Sequence, residues 1–167
     1  MASMTREERI AIVAERSFYC WVVKIGADTV LASAVALVRV SPDTERKKAT
    51  PANYDRIVRY WTAPLGDRSE MRGTLCGSPE MGFVRWFGDI PVAERLVRLM
   101  PDGARFMVGS PKDEDGDEVE RAIRTAIYAV DANGITVGLV MPLKAVRYPE
   151  ISGVDDEAVY ACTGETA

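Results

Sequence analysis

The turn at residues 131–134 constrains this chain more than any other feature. Asp131-Ala132-Asn133-Gly134 is a strong turn sequence. Asp and Asn bond readily to their own backbone, and Gly accepts positive φ. Two strand candidates flank it, at 119–130 and 135–146. In the second, Ile135, Val137, Leu139, Met141 and Leu143 occupy alternate positions. A period of two puts them on one face, which predicts a half-buried strand in a hairpin. Pro142 has no backbone donor, so that strand is expected at an edge or with a bulge.

The rest of the chain extends this pattern. Strands are expected at 18–25, 30–40, 54–61, 71–76, 105–108 and 158–162. The first two are joined by the turn Gly26-Ala27-Asp28-Thr29. Thr5-Arg6-Glu7-Glu8 is a capping box, with Ile10, Val13 and Ala14 following at helical spacing. It predicts a helix over 5–17. Asp89-Ile90-Pro91 predicts the start of a second helix, with Ile90, Ala93, Val97 and Met100 as its apolar stripe. Residues 41–53 read as a long exposed loop, and 112–118 as an acidic turn. Strands do not alternate with helices, which disfavours a parallel doubly wound sheet. The expected fold is therefore mostly β within the α+β class. It is an antiparallel β-sandwich or barrel with one inserted central helix and a short N-terminal helix. With 167 residues, 47% of them hydrophobic, the chain is expected to form one domain over 1–167, with 1–17 as a helical arm.

Composition narrows the chemistry. The chain has no His, which removes the commonest general base, metal ligand and pH switch. Cys20, Cys76 and Cys162 are far apart, with no C-x-x-C pair for zinc or redox work. The acidic turn fails the calcium-loop pattern, because the sixth residue from Asp113 is Glu118 and the twelfth is Arg124. Gly73, Gly77 and Gly82 do not make a phosphate loop. No catalytic, cofactor or metal residues are assigned, and the expectation is a non-enzyme. A net charge of -4 disfavours a general nucleic-acid coat. The charged start of the chain lacks a secretory pattern, and Lys24, Asp28 and Arg39 break up its most apolar stretch. A cytoplasmic protein without a membrane span is expected.

Two family resemblances follow from particular strings. Residues 135–144 (ITVGLVMPLK) followed by 148–158 (YPEISGVDDEA) resemble the ending of bacteriophage tail tube proteins. The order of elements from residue 18 onward is also similar. The resemblance implies a virion structural protein, assembled in the host cytoplasm, that stacks as rings, usually hexameric. Its partners would be further copies of itself and other virion proteins, with DNA passing through the channel unbound. The implied subunit contacts are Arg46, Lys47, Lys48, Tyr54, Arg56 and Trp61, with Asp155, Asp156 and Glu157 at the lumen or a ring contact.

Residues 83–133 are similar instead to the helix and fourth strand of single-stranded DNA-binding OB-folds. That alternative implies base stacking on Trp61, Trp86, Phe87 and Phe106, with Arg85 on phosphate. A third reading is a small inhibitor that caps another protein.

Overall fold

The predicted turn at 131–134 is present in the computed structural model, which describes residues 4–16, 20–44, 51–109, 116–143 and 149–161. Asp131 Oδ1 accepts from the backbone N–H groups of Asn133 (2.8 Å) and Ile135 (3.0 Å). The turn joins strands that are shorter than expected. Before it come helix α4 (Glu118–Thr125) and strand β9 (Ile127–Val130), and after it strand β10 (Thr136–Val140). The expected strand over 119–130 is thus half helix. Asp117 caps it by accepting from the Glu120 N–H at 2.8 Å. Pro142 lies just beyond β10, which is a central strand and not an edge. The bulge falls instead between Thr136 and Gly138.

At the other end of the chain, helix α1 (Arg6–Arg16) starts with the expected capping box. Thr5 Oγ1 accepts from the Glu8 N–H, and Glu8 Oε2 accepts from the Thr5 N–H. Strands β1 (Cys20–Ile25) and β2 (Asp28–Ser33) form a hairpin closed by Gly26 at φ 60° and Ala27. Positive φ at the first turn position alone makes this the type that matches strand twist. The expected single run over 30–40 breaks, giving β2 and then β3 (Ala36–Arg39). Ser33 Oγ accepts from the Ala36 N–H at this break.

Helix α2 (Pro51–Thr62) replaces both the end of the expected 41–53 loop and the expected strand at 54–61. Tyr54, Ile57, Val58 and Trp61 recur at i, i+3, i+4 and i+7, and all four pack against the sheet. Strands β4 (Ser69–Glu70), β5 (Thr74–Ser78), β6 (Gly82–Phe87) and β7 (Ile90–Ala93) follow. The expected helix from 89 to 100 is mostly absent. Its first half is β7, paired with β6, and only one turn remains as α3 (Glu94–Val97). Strand β8 (Arg105–Val108) has the predicted bounds. Residues 158–161 are not a strand. They belong to helix α5 (Asp156–Ala161), whose first turn is held by Asp155 Oδ1 accepting from the Ala158 N–H.

The fold is mostly antiparallel β with α-helices added, as expected, though the described residues form ten strands and five helices, more than the seven or eight strands and two helices that the sequence predicts. One sheet runs β1-β2-β3-β10-β9-β8-β4, and a smaller one runs β5-β6-β7. Alternation along the large sheet divides the core in two. One face, with Val23, Val30, Leu37, Leu139 and Tyr128, packs under α2. The other, with Leu31, Val38, Ile127 and Val140, packs against the small sheet, α1, α3 and α5. The arrangement is a β-sandwich with a helical layer outside it.

Candidate functional site

A cleft of about 600 Å³ opens on the small-sheet side. It lies between α1, β6, α3, α5 and the segment at 101–106. At its wall is Glu94, only 1% exposed. A buried carboxylate is costly unless its charge and lone pairs are satisfied. Here both oxygens are engaged. Arg85 Nε donates to Oε1 at 2.7 Å, and Arg85 Nη2 donates to Oε2 at 2.8 Å. Arg98, one helical turn on, donates from Nε to Oε2 at 2.9 Å.

The network continues along the wall. Arg98 Nη1 donates to Asp156 Oδ1 at 3.0 Å, and Arg9 Nη1 donates to Asp156 Oδ2 at 3.0 Å. Arg9 Nε also donates to the Arg98 carbonyl at 2.8 Å. This chain of contacts ties α1, β6, the α3 region and α5 together. Burial works against the Arg98 charge, but its hydrogen bonds to Glu94 and Asp156 outweigh that and hold its pKa above the ordinary value. Gly73 admits the Arg85 side chain. A Cβ there would lie 2.2 Å from Arg85 Cγ.

These guanidinium groups are fixed but not saturated. Arginine carries five donors. Arg98 uses Nε and Nη1 on carboxylates, and its Nη2 has no protein partner among the described residues. On the rim, Arg105 pairs with Glu70 at 3.1 Å. Arg72, also on the rim, is exposed and has no ion pair among the described residues. The cleft is lined by five arginines and four carboxylates, a surplus of one positive charge in a chain whose net charge is -4. Met71, Val97, Met100 and Phe106 supply apolar wall.

The residues singled out from sequence are scattered over the fold. Arg46, Lys47 and Lys48 lie outside the described residues. Tyr54 is on α2, where its hydroxyl donates to the Lys24 carbonyl at 2.7 Å, and Arg56 is exposed on the same helix. Trp61 is core, 5% exposed, and its Nε1 donates to Asp28 Oδ2 at 3.0 Å. The acidic trio diverges. Asp155 caps α5, Asp156 turns into the arginine network, and Glu157 is exposed.

The aromatic set divides in the same way. Phe87 is 1% exposed and stacks at a tilt on Phe106, with centroids 5.2 Å apart. Trp61 lies across the large sheet from them. Trp86 is half-buried, and Arg85 is held by Glu94. Of these sets, only Arg85, Phe106 and Asp156 meet, at the cleft. Sequence reasoning missed Arg9, Arg72, Glu94 and Arg98. The i, i+4 spacing of Glu94 and Arg98 was the available signal.

Among the described residues no group of His, Cys, Asp and Glu side chains could hold a metal ion, and no helix is long and apolar enough to cross a membrane. No protein-family model, curated protein or solved structure matches the chain.

Proposed function

We propose that this protein acts by recognition rather than by catalysis, and that the arginine-framed cleft is where it receives an anionic group of a partner. The observation that carries this reading is the bracing of Arg85 and Arg98 on buried Glu94. Such bracing removes most of the entropy cost of ordering long side chains before a ligand arrives. The described lining offers arginines, carboxylates and apolar groups, and no hydroxyl, thiol or amine nucleophile. A small inhibitor or adaptor that caps another protein fits this chemistry.

Titration with acetate, followed by NMR of the arginine Nε–H groups, tests the reading. The cleft arginines should shift together and saturate, while Arg56 on α2 stays still. Equal, unsaturated drift of all the arginine signals would contradict it.

A second reading is self-assembly into rings or a tail-tube-like channel in a virion. Strand β1 favours it. It ends the large sheet, pairs with β2 over six unbroken positions, contains no Pro, and carries Lys24 as its only charge. A long edge with so little protection invites addition of another strand. Electron microscopy at high protein concentration tests this. Rings or tubes of uniform width support it, and a field of small single particles counts against it.

A further inference from the structure

We infer that the cleft takes one carboxylate flanked by an apolar side chain, as an acidic–apolar stretch of a partner polypeptide presents it. The inference rests on the recognition reading above and adds the class of ligand. Three observations carry it.

The first is charge. Five arginines stand against four carboxylates around the cleft, and the surplus matches a single negative group. A multiply charged anion would face the rim carboxylates Glu70 and Asp102 without enough positive charge to balance it. The second is geometry. Among the described residues, Arg72 on the rim has no partner for its fork, and Arg98 on the wall has none for Nη2. A planar guanidinium fork matches a carboxylate with two parallel bonds. The third is the neighbouring surface. Met71 is 39% exposed and borders the cleft with Val97, Met100 and Phe106. Methionine adapts to varied apolar partners, and an exposed one beside free donors suits an amphipathic ligand.

Calorimetry on the full chain tests the inference with three probes: acetylated Leu-Glu-Leu amide, acetylated Leu-Gln-Leu amide and inorganic phosphate. The Glu peptide should saturate, and the Gln peptide should bind roughly tenfold more weakly, the scale of one charge-assisted bond pair. Arg72→Gln should weaken the Glu peptide by about the same factor. Arg56→Gln, across the large sheet, should leave it unchanged. Saturation by phosphate alone, or a Glu-peptide affinity that Arg72→Gln leaves unchanged, would overturn this ligand class and leave the cleft reading standing. If the two peptides bind equally and phosphate does not bind, both fall.

Discussion

Glu94 and Arg85 face each other through two parallel hydrogen bonds of 2.7 and 2.8 Å, with the carboxylate almost sealed from solvent. Removing the negative charge takes an ion-pair partner from two guanidinium groups at once, because Arg98 shares the same carboxylate. Glu94→Gln is therefore expected to destabilise the fold by about 3 kcal/mol, the low end for a broken buried pair. Urea unfolding measures it. A loss under about 1 kcal/mol, the scale of an exposed pair, would show that the network does not hold the wall.

Gly73→Ala is expected to disturb the same wall from the other side. Its Cβ would fall on Arg85 Cγ, in mid-chain rather than at a flexible tip. The arginine must move, weakening its grip on Glu94, for a cost of about 1–3 kcal/mol. Crossing Gly73→Ala with Arg85→Ala in a double-mutant cycle measures the coupling. Simple additivity would refute the steric account.

Trp61→Ala is expected to cost about 3–5 kcal/mol, because it empties a site under α2 and removes the indole donor from Asp28, which keeps its pair with Arg39. An interface tryptophan would behave differently, affecting association more than stability. Thermal unfolding at two protein concentrations separates the two outcomes.

At high pH the buried tyrosines should govern stability. Burial raises the Tyr128 and Tyr160 phenols above their ordinary value of 10. A group whose folded pKa is raised contributes stability that is full below its unfolded pKa. That stability is lost as pH climbs toward the folded pKa. Stability should therefore fall above about pH 10. Tyr128→Phe should flatten that fall, while losing the 2.6 Å bond to the Tyr60 carbonyl, about 1 kcal/mol at neutral pH. An unchanged alkaline slope in the variant would contradict the assignment.

Much of the fold was written locally, and the cleft was not. The α1 capping box, the β1–β2 hairpin and β8 each depend on residues close in sequence, and all three form. Helix α2 departs from the expected strand because the strand propensity of Tyr, Ile, Val and Trp gives way to their spacing of three and four, which is helical. The stripe from Ile90 to Met100 misled in the opposite sense, since pairing of β7 with β6 overrode helical periodicity. Asp155, Asp156 and Glu157 suit a helix start through capping and dipole, a signal that outweighs the strand propensity of Val159 and Tyr160. The cleft joins residues as distant as Arg9 and Asp156, a contact that only the packed α1, α3 and α5 create.

The most direct test of the central claim is a crystal structure of the protein grown with saturating acetylated Leu-Glu-Leu amide. The peptide is expected in the cleft, with its carboxylate within hydrogen-bond reach of Arg72 and a leucine against Met71 or Phe106. A peptide bound elsewhere, or one whose carboxylate turns away from the arginines, would contradict it.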